Sequence, residues 1–434
     1  MTTTATLKTS NVWHPFTQAK TADPPLRVRR GRGAILELED GKQIIDCISS
    51  WWVNIHGHCH PEIARAIYEQ ANLLEHVIFA GFTHEPAELL AKEVLRHLPD
   101  HLQHVFFSDN GTTAVEVALK MAYQYWQNKG VTGRTRFIAL EEGYHGETVG
   151  AMSLGRTMPF FKRFEPLLFE VDLIPFPATW QGDTERQEKE ERALSALAAL
   201  LETHPNRHAC ILIEPLVQGV GGMRMCSEDF IRSLTQACKN AGLLTIYDEV
   251  MTGFGRTGEW FACHRAKTDP DIICLAKGLT AGFMSMALTI ASNEIYQSFY
   301  SDDLQKALFH SHSYMGNALA CTAANASLKL LEANPESFTR LQALHQSKSE
   351  EYLNENKRLE RLRILGTIFA CDVVSHQSTG YFNNLGLLLR RKFLERGCLI
   401  RPLGNTIYLM PPYCITEDEL TSIYRTIGDV VSSL

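Results

Sequence analysis

The chain has 434 residues, of which 45% are hydrophobic and 21% charged, and it carries a formal net charge of -7. That length exceeds one simple core and predicts two or three compact units of ordinary globular composition. The acidic balance argues against a nucleic-acid or anionic-membrane partner, so a small-molecule function is expected.

The first residues, Met1 to Ser10, lack the apolar stretch of a signal peptide, and no later apolar run approaches a membrane span. Residues 1–50 then read as short strands punctuated by Gly31, Gly33 and Asp40-Gly41. Within them the run Arg27-Val-Arg-Arg-Gly-Arg32 fits a solvated edge strand better than a phosphate or nucleic-acid surface, and no function is assigned to it.

From Trp51 to about residue 330, short apolar or β-branched runs alternate with helical patterns. The runs are Val105–Phe107, Phe137–Leu140, Cys210–Ile213, Leu243–Tyr247, Ile272–Leu275 and Met286–Ile290. Between them lie a helix from Thr112 to Asn128, with Val115, Ala118, Leu119, Ala122 and Tyr123 on one side, and a charged helix from Thr184 to Thr203. This alternation predicts an α/β domain with a largely parallel sheet, whose ligands gather at the strand carboxyl ends.

Asn334-Pro335 opens a helix-rich, charge-rich final part. The division expected is 1–50 and 331–434 together as a small α+β lobe, with 51–330 as the large domain. Eleven cysteines show no Cys-x-x-Cys pair and no metal-ligand spacing, which predicts reduced, packed thiols, a cytoplasmic setting and no metal.

The candidate chemistry centres on Lys277, after the strand Ile272–Leu275, and Asp248, after the strand Leu243–Tyr247. A lysine amine can condense with the aldehyde of pyridoxal phosphate, while a buried carboxylate keeps the pyridine nitrogen protonated so that the ring acts as an electron sink. The turn Ser108-Asp-Asn-Gly111-Thr112 precedes a helix, whose free N–H groups suit a phosphate or take an ordinary N-cap. Tyr144, between glycines after a strand, can stack on a flat heteroaromatic ring or pack inward.

The adjacent Asp248 and Glu249 would also suit a magnesium site, but no Gly-x-x-x-x-Gly-Lys-Ser/Thr loop accompanies them. Arg401, in Leu399-Ile-Arg-Pro-Leu-Gly404, can pair with a substrate carboxylate or with Glu214, and both readings stay open.

The run Asp248-Glu-Val-Met-Thr-Gly-Phe-Gly-Arg256-Thr-Gly, followed by Ala276-Lys277-Gly278, resembles the signature region of the class III pyridoxal-phosphate aminotransferases. The resemblance covers nearly the whole chain. It implies fold type I, pyridoxal 5'-phosphate as cofactor and a homodimer with active sites at the interface. Carried onto this sequence, it implies that Gly111 and Thr112 hold the phosphate, Tyr144 faces the ring, Asp248 binds the pyridine nitrogen and Lys277 bonds the cofactor. His312 and Ser313 would complete the phosphate site of the partner subunit, while Trp51, Trp52, Ser311, Arg401 and Tyr408 would contact substrate.

Five stretches are similar to the biotin-pathway members that aminate 8-amino-7-oxononanoate: Trp13-His-Pro15, Ser49-Ser-Trp-Trp52, Glu116–Ala122 with Gln124-Tyr-Trp126, Gly221-Gly-Met-Arg-Met225, and Ile407–Pro412. Phe16 stands where that group has a substrate-recognising tyrosine, and His310-Ser-His-Ser313 replaces its His-Gly-Pro-Thr run. Phe16 with Thr17-Gln18 is similar to the branch that uses lysine as amino donor. Trp51-Trp52 and Tyr408 are similar to the S-adenosylmethionine users, the donor favoured here; diamine, ornithine and γ-aminobutyrate transaminases are the rival specificities.

Overall fold

The computed structural model describes residues 11–375 and 381–434. Strands β1 (Val28–Arg32), β2 (Ile35–Leu38) and β3 (Gln43–Asp46) form an antiparallel meander with β1 at its edge. Arg30 Nε donates to Glu37 across the β1–β2 pair at 2.8 Å, so the arginine-rich run is a solvated edge strand with local ion pairs.

The central sheet has seven strands: β4 (Leu102–Ser108), β5 (Arg136–Leu140), β6 (Asp172–Ile174), β7 (His208–Ile213), then, after the small hairpin of β8 (Val217–Gln218) and β9 (Arg224–Met225), β10 (Leu244–Asp248), β11 (Ile272–Leu275) and β12 (Ala287–Ser292). Their spatial order is β4-β12-β11-β10-β7-β5-β6. Strands β7, β10 and β11 are buried along their whole length, as a parallel sheet covered on both faces requires.

Six of the seven strands run one way, and β12 is antiparallel to both β11 and β4. Only the segment from Ala276 to Met286 joins β11 to β12, and it holds one 3-10 turn in place of a crossover helix. A parallel return needs a crossover of a dozen or more residues, so the shorter link reverses the strand. The reversal brings the start of β12 to the same edge of the sheet as the carboxyl ends of its neighbours.

The sequence reading did not include β6, whose three residues are too few for a period. Its Asp172 is anchored by Arg136 at 2.6 Å and by His208 at 2.8 Å.

The last part of the chain combines the expected helices, Glu336–Leu353, Asn384–Glu395 and Glu417–Ser432, with strands. Among its described residues, β13 (Leu359–Leu365), β14 (Ile368–Val373) and β16 (Thr406–Leu409) form an antiparallel sheet, and β15 (Cys398–Leu399) pairs in parallel with β3. Three charges disguise β13: Glu360 and Arg361 are exposed, and Arg363 is buried, donating to Asp372 at 2.8 Å, while β14 is wholly buried. Among the described residues no helix is long and apolar enough to cross a membrane.

Candidate active site

A cavity of about 510 Å³ lies at the carboxyl edge of the central sheet. Lys277 reaches it from the 3-10 turn Lys277–Thr280, two residues past β11, with a left-handed φ of 47°. Its Nζ sits 4.6 Å from the Trp52 ring centroid. Burial drives its pKa down to about 8, partly opposed by the nearby charges of Asp248 and Glu214.

Asp248 ends β10 and is 5% exposed. Its Oδ2 lies 2.8 Å from His145 Nδ1, and its Oδ1 accepts from the Val250 N–H at 3.2 Å. Burying a carboxyl group is costly without such hydrogen-bond partners. Neighbouring Glu249 is spent elsewhere: it accepts from the N–H groups of Ala262 and Cys263 at 2.6 and 2.9 Å, and burial raises its pKa to about 7.

The helix Gly111–Asn128 starts at the same edge. Its N-cap is Asn110, which takes the Thr113 N–H at 3.1 Å and leaves Thr112's hydroxyl free of the cap. That hydroxyl meets Thr148 Oγ1 at 2.8 Å. A Cβ on Gly111 would stand 2.6 Å from Val250 Cγ1, so this position admits only glycine without movement. The first-turn N–H groups, which have no acceptor within a helix, thus border the cavity beside a small residue and a hydroxyl.

Tyr144 lies in the loop after β5, its ring 6.0 Å from Phe161 and close to parallel with it. Its hydroxyl donates to Glu147 Oε1 at 2.9 Å. Its backbone N–H donates to Glu214 Oε2 at 2.9 Å, while Gly219 N–H donates to Glu214 Oε1 at 3.0 Å. Burial raises Glu214 to about 7.

Of the two readings left open for Arg401, the ion pair with Glu214 is not formed. Glu214 is committed to two backbone amides, and the Arg401 guanidinium instead lies over the Trp51 ring, 4.9 Å from its centroid, with no carboxylate partner among the described residues.

A second cavity, of about 370 Å³, joins the first at Trp52, Tyr144, Glu147 and Lys277 and extends to Arg401. Phe16, Trp51, Tyr381 and Tyr408 form its aromatic walls. Trp51 and Trp52 come from a tight turn in which Ser49, Ser50 and Trp52 all have positive φ. Arg256, 1% exposed, holds that turn by donating to Trp52 O at 3.2 Å and Pro411 O at 2.9 Å. Trp52 Nε1 donates to the Tyr408 hydroxyl at 3.0 Å, so the inner indole is fixed while Trp51 remains half exposed.

The description "Aminotransferase class-III" belongs to the family model that matches residues 17–431. The chain belongs to the class III aminotransferases. Among curated relatives, this aminotransferase is 50% identical over 424 residues to the adenosylmethionine-8-amino-7-oxononanoate aminotransferase of Synechococcus elongatus, covering 98% of this chain and 99% of that one. It is 38% identical to the protein of the same name from Methanocaldococcus jannaschii, covering 94% and 93% of the two chains. The crystal structure of that archaeal enzyme superposes with a TM-score of 0.90 at 35% identity, over 98% of this chain and 97% of that one. An amine transaminase from an uncultivated Pseudomonas species, in its pyridoxal-phosphate-bound form, gives 0.91 at 29% identity over 98% and 99%.

The fold is therefore fold type I, and pyridoxal 5'-phosphate is the cofactor of the class. The residues of this aminotransferase fit it. The half-buried Lys277 amine, the buried Asp248 carboxylate and the helix start at Gly111 line one cavity, where they would offer an amine for the aldehyde, a partner for the pyridine nitrogen and N–H groups for the phosphate.

Three expected residues stand apart in this single chain. Ser311 and Ser313 are exposed, His312 is half-buried with Nε2 lacking a partner among the described residues, and none borders either cavity. His76 anchors the segment at Ser313 O, 2.5 Å away, and Lys120 meets His310 Nδ1 at 3.0 Å.

Four residues of the site were absent from the sequence reading. His145 and Glu147 stand in the run around Tyr144, but a lone histidine or glutamate in a glycine loop gains meaning only when its partner is placed. Arg256 lay in the signature run without a role, and Tyr381 follows a segment with no period.

Proposed function

We propose that this aminotransferase makes 7,8-diaminononanoate from 8-amino-7-oxononanoate in biotin biosynthesis, with S-adenosylmethionine as amino donor. The observation that carries the reading is the pair of joined cavities: a cofactor-sized polar one, and an aromatic one that runs from Lys277 to Arg401. Apolar walls ending at a guanidinium suit an aliphatic chain with a terminal carboxylate. Relatives that match along nearly their whole length are named for the same acceptor and donor, which supports the reading.

In this reading the cofactor, when bound, supplies the electron sink for the departing proton's electrons. Asp248, oriented by His145, faces the pyridine nitrogen, and Gly111 with Thr112 takes the phosphate. Lys277 Nζ, its charge disfavoured by burial, serves as the local base that takes the proton from the donor Cα and returns one to the acceptor carbon. Trp52, fixed by Tyr408, and Trp51 keep water from the chain of the acceptor, and Arg401 sets its depth.

The same reading includes a homodimer. His312, without a partner for Nε2 among the described residues, is flanked by Phe309 and Tyr314, 72% and 70% exposed, which supports docking of this segment against the cofactor site of a second copy, with Ser311 reaching its substrate. A lobe built from both chain ends around 51–330 is supported by the β3–β15 pairing, with the second boundary moved to the end of the helix Ala318–Ala333. A cytoplasmic setting is supported by eleven free cysteines, all but Cys59 and Cys414 buried.

Separate half-reactions test the proposal. Cofactor-loaded protein is mixed with S-adenosylmethionine or with lysine, conversion to pyridoxamine phosphate is followed by absorbance, and 8-amino-7-oxononanoate is then added. Conversion by S-adenosylmethionine and formation of the diamine are expected. Conversion by lysine alone, the donor that Phe16 favours, overturns the donor assignment, and conversion by neither overturns the specificity altogether.

A further inference from the structure

Three phenols line the cavity between Lys277 and Arg401, and two are engaged with protein groups. Tyr144 donates to Glu147 at 2.9 Å, and Tyr408 accepts from Trp52 at 3.0 Å. Tyr381 makes ring contacts instead, its centroid 6.2 Å from Phe16, 5.2 Å from Phe160 and 5.7 Å from Phe382. Its hydroxyl has no hydrogen-bond partner among the described residues, although the ring is half-buried.

The position of this hydroxyl matters because of what shares the wall. Tyr381 meets Phe16, Phe16 lies edge-on to Trp51 at 6.0 Å, and Trp51 carries the Arg401 guanidinium on its face. A half-buried phenol among aromatic rings usually finds a polar partner, and a neutral O–H lining the same cavity as a guanidinium can add a hydrogen bond to an anion held there. Arg401 is likewise without a carboxylate partner among the described residues.

We propose that Tyr381 is a specificity-determining residue of this cavity, its hydroxyl donating to the terminal carboxylate of an apolar-chain substrate bound by Arg401. The inference rests on the acceptor proposed above. It assigns recognition of the carboxylate to two donors from different parts of the small lobe, Tyr381 before the helix Asn384–Glu395 and Arg401 after β15.

The test compares wild type, Tyr381→Phe and Tyr381→Ala, each checked for retained cofactor absorbance. KM and kcat are measured for 8-amino-7-oxononanoate and for its methyl ester, and the donor half-reaction is timed separately. Tyr381→Phe is expected to raise KM for the acid about tenfold at unchanged kcat, the size of one charge-assisted hydrogen bond. It should leave the ester and the donor half-reaction unaffected. Wild-type KM for the acid in Tyr381→Phe, with only Tyr381→Ala impaired, makes Tyr381 a mere aromatic wall and overturns the proposal. Failure of the wild type to turn over the acid overturns the acceptor assignment, and this inference with it.

Discussion

His145 Nδ1 and Asp248 Oδ2 lie 2.8 Å apart, both side chains buried, at the end of the sheet where the cofactor's pyridine ring is proposed to sit. The imidazole comes from the loop after β5 and the carboxylate from the end of β10, with β7 between them in the sheet. The contact fixes which way the carboxylate faces. Replacing His145 by Ala leaves one buried oxygen without its partner, a loss of roughly 1–3 kcal/mol that is shared between folding and cofactor binding. The expected outcome is at least tenfold weaker cofactor retention, read by titrating the cofactor-free protein, with unchanged affinity as the contrary result.

Lys277 should leave a pH signature in the cofactor-free protein. Its pKa falls from an ordinary 10.5 to about 8, so between those values the unfolded chain holds a proton that the folded chain has released. Folded-state stability therefore rises with pH through that window, and below about pH 8 the buried charge is a penalty. Lys277→Met removes the penalty. The variant should be the more stable protein at pH 7 by a few kcal/mol, with the gap closing toward pH 10.5, while transaminase activity and the absorbance of covalently held cofactor are lost. Denaturant melts at several pH values give the answer, and a gap independent of pH would falsify the buried-cation account.

Gly111→Ala tests the phosphate cradle sterically. The added methyl would approach Val250 Cγ1 to 2.6 Å, and a β-branched valine has few rotamers with which to retreat. We expect cofactor affinity to fall tenfold or more, with a loss of thermal stability from the same overpacking. Pairing it with Val250→Ala should recover much of the loss, and absence of recovery would place the fault elsewhere.

For Arg401→Ala the expected result is a ten- to hundredfold higher KM for the acceptor at nearly constant kcat, the range for one charge-assisted bidentate pair. An unchanged KM would reduce Arg401 to a cap on the Trp51 ring.

Glu214→Gln keeps shape but turns one acceptor into an amide donor facing either the Tyr144 or the Gly219 N–H. It should cost roughly 1–3 kcal/mol in denaturant unfolding, because one buried N–H loses its acceptor. The charged form of Glu214 is disfavoured by burial, with its pKa raised to about 7, so wild-type stability falls as pH rises from about 4.5 to about 7. That fall should be smaller in the variant.

Much of the frame was legible before any coordinates. The runs around Phe106, Ile138, Leu212, Ile246 and Ile273 are apolar and bounded by turn signals, and the strands of the last three are buried along their whole length, as strands covered by two layers of helix are. Lys277, Asp248, Gly111 and Tyr144 were legible for a related reason: each follows such a strand, and parallel strands deliver their carboxyl ends to one edge. The direction of β12 and the existence of β6 were not legible, since one depends on the length of a link and the other on pairing at a sheet edge.

Lys277 can thus be traced from local pattern to the cavity, whereas Arg401 could not be assigned between Glu214 and a substrate without the fold. Sequence determined which residues lie at strand ends, because burial periodicity is a local property of the chain. Only tertiary structure decided that Glu214 binds the amides of Tyr144 and Gly219, that His145 meets Asp248, and that Tyr381 shares a cavity with Arg401. Hydrogen bonds act over about 3 Å, and Tyr144 and Glu214, 70 positions apart, or His145 and Asp248, 103 apart, come within that reach only after the strands have been ordered into a sheet.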